Sequence, residues 1–181
     1  MDVAEIRGWA QLSFIVIGGT IGLIAFFQNM RQRRVENAFK MIAWFNSTLQ
    51  RHDMEDWIKL FHYAYEPAGA EPGHYVDVEG NQFSISGYYS EGSPDSGSIA
   101  RMTDSLEVVC HELVKGTVET RLVWFELGQL LRTIHYWLSC IPSYREGTSL
   151  LEESFPNIAK AYKKHEKNFN RWPSRTIAYV E

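Results

Sequence analysis

A chain of 181 residues, 45% hydrophobic and 22% charged, is long enough to bury a full core and too apolar to be disordered. Its two cysteines, Cys110 and Cys140, exclude a disulfide framework and fit a reducing compartment. The net charge of −4 is unevenly spread: Asp53 to Glu107 holds eleven acidic and two basic residues, Lys160 to Arg175 six basic and one acidic. Such an imbalance gives either two surfaces with different partners or two segments that neutralise each other.

The first element is "VIGGTIGLIAFFQNMRQRR". Between Arg7 and Arg31 lie 23 residues without a charge, and about 20 helical residues cross a bilayer core. A cleaved signal needs a positive N-terminal region, whereas Asp2 and Glu5 stand there beside a single Arg. The reading is a tail over residues 1–8 and a single transmembrane helix over 9–30, opened by Trp9. Arg31, Arg33 and Arg34 follow the span and are candidates for lipid headgroups. By the positive-inside rule they set the N-terminus outside and residues 31–181 in the cytoplasm, on the inner (plasma) membrane. Gly18 and Gly22 form a GxxxG pair, the spacing that lets two membrane helices approach closely, so a homo-oligomer is expected.

Beyond Arg34, Val35, Ala38, Phe39, Ile42, Phe45 and Leu49 fall at helical spacing, which predicts an amphipathic continuation to about Gln50. Asp53 reads as an N-cap, and Met54, Trp57, Ile58, Phe61 and Tyr65 as the stripe of a second helix stopped by Pro67. Residues 67–98 hold six of thirteen glycines and three of six prolines. Within them "HYVDVEGNQFSIS" alternates about Gly80-Asn81 and predicts a β-hairpin. "GYYSEGSPDSGS" predicts a loop, so this stretch is a partner-binding arm or a tolerated insertion. Ile99, Met102, Leu106, Val109, Cys110 and Leu113 share one helix face, closed by Gly116. Thr117 is a candidate cap for the next helix, which carries Val123, Leu127, Leu130, Ile134, Trp137, Leu138 and Ile141. Glu126, Arg132 and His135 inside that helix exclude a second span. A last helix, about Asn157 to Trp172, turns Ile158, Ala161, Tyr162, Phe169 and Trp172 inward. The fold class is therefore mainly all-α, an antiparallel helical bundle on a membrane stalk with a small hairpin insertion.

Tests for chemistry give little. "HELVK" at His111 lacks the second His of a zinc-protease helix, and Glu71-x-x-His74 runs through Pro72 and Gly73 and cannot be helical. Asp104, Glu107 and His111 share a face and read as a solvated polar surface. Cys110 and His111 point about 100° apart on a helix and cannot form a dyad. No phosphate-binding loop or nucleophile elbow is present. No catalytic residue, metal or cofactor is expected. Lys160, Lys163, Lys164, Lys167 and Arg171 form one basic ridge, a candidate for an anionic small ligand or a protein partner. Duplex nucleic acid is not an expected partner.

"RQRR", "ARMTDSLEVVCHELVKGTVE" and "LRTIHYWLSCIPSYREG", in this order after an N-terminal span, resemble an uncharacterised family of bacterial membrane-anchored helical proteins. The positions that carry the likeness are Arg101, Glu107, Gly116, Trp137, Pro142 and Arg145. The resemblance implies the topology and the helical fold and supplies no activity. The expected function is a membrane-anchored binding or sensor protein. Its alternative is a membrane effector gated by an anionic ligand such as a nucleotide second messenger, on the plan of bacterial antiphage defence.

Overall fold

The computed structural model describes residues 3–61, 64–65, 67–77, 79–89 and 97–174. Among these described residues, seven helices and three short strands follow in the order α1 (Val3–Thr48), α2 (Arg51–Phe61), β1 (Ala64–Tyr65), β2 (His74–Asp77), β3 (Gln82–Ser84), α3 (Ile85–Tyr89), α4 (Ser98–Lys115), α5 (Thr120–Cys140), α6 (Leu150–Ser154) and α7 (Pro156–Phe169). The chain is mainly all-α.

α1 is a single unbroken helix of 46 residues, about 70 Å long at 1.5 Å per residue. Its apolar section is long enough to cross a membrane, and from Phe14 to Met30 its side chains are exposed. Thr20 donates to the Val16 carbonyl at 2.8 Å, which satisfies its hydroxyl within the helix.

Four helices form the bundle. The lower part of α1 packs through Ala38, Ile42 and Phe45, and its direction is opposite to that of α4, since Arg34 meets Gly116 while Thr48 meets Ser105. α7 runs the same way as α4: Glu107 contacts Asn157, and Lys164 contacts Val114. α5 runs back against α7, with Trp124 stacked on Phe169 and His135 on Tyr162, both at 3.8 Å between ring centres. α1 and α5 thus lead away from the apolar section of α1, and α4 and α7 lead back toward it. The expected faces of α4 and α5 are the buried ones, from Ile99 to Leu113 and from Val123 to Leu138.

Phe39 departs from its expected stripe. It is 59% exposed, because it sits at the edge of the arc that α4 and α5 cover. Tyr65 belongs to β1, paired with Val76, and not to α2, which ends at Phe61. Asp53 is not the N-cap of α2. Gln50 holds that place, and Asp53, three residues on, accepts the Gln50 N–H at 2.8 Å, the returning half of a capping box. Nor does Thr117 cap α5. Its hydroxyl turns back to the Glu112 carbonyl and carboxylate at 3.1 and 2.5 Å, and α5 starts at Thr120.

The predicted hairpin is present, extended to three antiparallel strands by β1. Asp77 builds its turn, accepting from the backbone of Glu79 and Asn81 and from the Asn81 amide at 2.7–2.9 Å. These bonds, the Asn81 side chain foremost, hold the Asp77 carboxyl below its ordinary pKa. After Ser84 the chain turns into α3, so Ser86 is helical where alternation predicted strand. Ile85 and Tyr88 are buried in the bundle core, which ties the hairpin to the domain. Residues 90–96 of the expected loop lie outside the described residues.

Candidate functional site

The junction between α1 and the bundle is built from backbone groups of the α4–α5 turn and side chains of α1. α4 closes in a Schellman turn: Gly116, at φ 73°, donates to Leu113, and Thr117 donates to Glu112. The carbonyls of Gly116 and Thr117 then face α1. Arg34 Nε donates to Gly116 O at 2.7 Å and Asn37 Nδ2 to Thr117 O at 3.1 Å. In return the Glu119 N–H donates to the Arg34 carbonyl at 3.0 Å. Three bonds therefore fasten α1 to the α4–α5 turn, one turn of helix beyond the end of its apolar section.

The structure separates the three arginines expected at lipid headgroups. Arg34 is engaged with the bundle. Arg33 donates to Asn29 on its own helix at 3.1 Å. Arg31 is exposed and lines a groove with Arg121.

Gly18 and Gly22 stand in open space, with nothing within 4 Å of where a Cβ would lie. On a continuous helix, about 100° per residue puts Ala38 and Ile42 roughly 200° around the axis from Gly18 and Gly22 respectively. The glycine face points away from the bundle.

Lys160, Lys163, Lys164, Lys167 and Arg171 are all exposed on the outer side of α7 and beyond its end. Lys164 Nζ donates to the Val114 carbonyl at 2.7 Å, where the last turn of α4 has acceptors to spare. The other four point outward.

The polar face of α4 divides similarly. Asp104 and His111 are exposed, but Glu107 accepts from the backbone N–H groups of Asn157 and Ile158 at 2.8 and 2.9 Å and from the Asn157 amide at 2.7 Å. α7 has no side-chain cap of its own, so a carboxylate from another helix serves its positive end. Glu107→Ala is expected to cost about 1–3 kcal/mol and Glu107→Gln less, in denaturant titrations of the solubilised chain.

Burial shifts several further side chains. Cys110 is fully buried, and burial first, then the charge of Glu107, pushes its thiol well above the ordinary pKa. His135 and His165 are held below theirs, chiefly by burial. Among the described residues no three His, Cys, Asp or Glu side chains gather in a way that could hold a metal ion.

Sequence reasoning missed one cluster. Asp53, fully buried, receives the Arg101 guanidinium through both Nε and Nη2, and Nη2 also meets His52 Nε2 at 2.7 Å. Asp56, buried beside it, accepts from Ser98. Nothing local marks these pairs, which join residues more than forty positions apart.

Comparison with known proteins finds no matching family model, no matching curated protein and no matching solved structure.

Proposed function

We propose that this chain is a single-pass membrane-anchored binding or sensor protein. Its cytoplasmic helical bundle exchanges conformational state with its own membrane helix, without catalysis and as a homo-oligomer. The supporting observation is mechanical. α1 has no break between its apolar section and the bundle, and Arg34, Asn37 and Glu119 lock it to the α4–α5 turn. A flexible tether would suffice for anchoring alone, and a rigid one carries rotation or tilt in both directions. The outward-facing Gly18 and Gly22 supply a contact through which such a movement changes the pairing of copies. The ridge of Lys160, Lys163, Lys167 and Arg171 is the place for an anionic ligand or acidic partner. In the resemblance to bacterial membrane-anchored helical proteins, Arg101 and Glu107 would be structural positions.

Cys140 is exposed and Cys110 buried, which makes the wild-type chain its own topology probe. An impermeant maleimide is expected to label it in spheroplasts only after the inner membrane is opened. Labelling of intact spheroplasts would reverse the orientation. In the same membranes, lysine-reactive crosslinking should give dimers or larger species, reduced severalfold by Gly18→Leu with Gly22→Leu. A chain that stays monomeric under crosslinking would sink the oligomer, and one released by alkaline carbonate would sink the span.

A further inference from the structure

Between α1 and the first turns of α5 the described residues leave an open groove of about 570 Å³. Val35, Phe39 and Phe125 line its apolar part, and Arg31, Arg121 and Glu119 its end toward the apolar section of α1. Pro173 forms a further wall. The chain reaches that wall on a fixed course. The Trp172 carbonyl accepts from Trp124 Nε1 at 3.1 Å, and Ser174 Cβ lies 3.0 Å from where a Gly128 Cβ would stand. Gly128 is about one helical turn past Phe125, so the chain leaves Ser174 beside the aromatic end of the groove. From there the sequence continues "RTIAYVE", in which four apolar residues in a row precede Glu181.

We infer that residues 175–181 dock in this groove of their own chain, Ile177 and Tyr179 against Phe39 and Phe125, and Glu181 against Arg31 and Arg121. Length allows it. From Phe39 back to Arg31 is about 12 Å along α1, and residues 177–180 in extended form span about 13 Å. Arg175 and Thr176 are left to make the turn off α5. Pattern supports it. Alternate side chains of an extended segment share a face, so Ile177, Tyr179 and Glu181 point the same way, two apolar groups and then an acid. The groove offers the matching order, two rings and then two guanidiniums beside the single carboxylate of Glu119, and guanidinium groups pair well with carboxylates. Phe39, 59% exposed, and Phe125, 43% exposed, present the apolar surface that such a contact covers. The tether favours this occupant over a free one, because a linker of a few residues gives an effective concentration on the order of millimolar. A leaflet lipid matches poorly, since the rings lie beyond the arginines, on the side away from the apolar section of α1. The docked segment braces α1 against α5 beside the bonds of Arg34, Asn37 and Glu119. The inference stands whether or not α1 spans a membrane.

The full solubilised chain with Cys140→Ser and Val35→Cys carries a thiol in the groove, while Cys110 stays buried. Maleimide labelling of that thiol should quicken about fivefold or more when the chain is ended at Ser174, because the covering segment no longer has to open first. Glu181→Arg in the intact chain should quicken it in the same direction, and adding Arg31→Glu with Arg121→Glu should slow it again. The charge variants keep the test decisive if the shortened chain fails to fold. A benzoylphenylalanine in place of Tyr179 should crosslink to residues 35–39 or 122–125 at the mass of one chain. Labelling that ignores both the shortening and the charge changes would overturn the proposal, as would crosslinks to other surfaces of the bundle. Crosslinks to the same residues at twice the mass would give the groove to the segment of a second copy and overturn docking within the chain.

Discussion

Arg101→Ala is expected to destabilise the bundle by about 3–5 kcal/mol, the cost of leaving a buried charge without its partner. Asp53 is fully buried at the start of α2, and Arg101 on α4 reaches it through two nitrogens while its own side chain is one-third exposed. Burial raises the Asp53 pKa, but the hydrogen bonds from Arg101, the Gln50 amide and Ser98, with the charge of Arg101, more than offset it and hold the carboxyl below its ordinary value. A depressed carboxyl stabilises the fold above its unfolded pKa of about 3.8 and loses that contribution as pH falls through the folded value. In Arg101→Ala the sign reverses, because burial without the guanidinium favours the protonated acid. The gap between wild type and variant should therefore be widest near neutral pH and narrow on acidification. Asp53→Asn with Arg101→Ala should cost less than Arg101→Ala alone. Denaturant titrations of the solubilised chain between pH 4 and 8 read all of this, and a gap independent of pH would show that Arg101 acts by packing.

What could be read in advance, and what could not, divides by the distance over which a residue acts. The long apolar section of α1 is visible because 23 uncharged residues stand in one run. The buried faces of α4 and α5 are visible because helical period aligns Leu106 with Val109 and Leu113, or Val123 with Leu127 and Leu130. The hairpin turn is visible because Asp77, Gly80 and Asn81 bond to one another within four residues. Asp53 with Arg101, and Glu107 with the start of α7, are pairs whose partners lie 48 and 50 residues away. Each acid looks locally like an ordinary surface or capping residue. Arg34 shows the same limit from the other side. Its place after an apolar run suggests a headgroup, whereas the unpaired carbonyl of Gly116, which only the folded bundle brings near, takes its guanidinium. Phe39 fits the helical stripe by count, yet which edge of that stripe stays open depends on where α5 crosses.

Gly73→Ala is the second substitution expected to be severe, at about 2–5 kcal/mol. Two effects add. Gly73 lies at φ 85°, where an L side chain costs roughly 1–2 kcal/mol. Its Cβ would also stand 2.5 Å from Cδ1 and 2.6 Å from Nε1 of Trp137, and crowding of that kind in a packed core costs about 1–3 kcal/mol. The indole has little room to yield. It is 4% exposed and held edge-on by Tyr89 at 5.1 Å, while the Gly73 carbonyl is fixed by the Ile85 N–H at 2.9 Å. Gly69 and Gly80 are built-in controls. Both have positive φ, 82° and 87°, with nothing within 4 Å of a Cβ, so alanine there incurs the backbone cost alone. The difference between Gly73→Ala and Gly80→Ala in denaturant titration isolates the contact of the hairpin with α5, and Trp137→Leu should shrink it. A difference of several tenths or less would mean that the hairpin leans on the bundle without being pressed into it. A difference above about 1 kcal/mol makes residues 67–89 part of the core that α5 organises, since the hairpin then cannot move without moving Trp137.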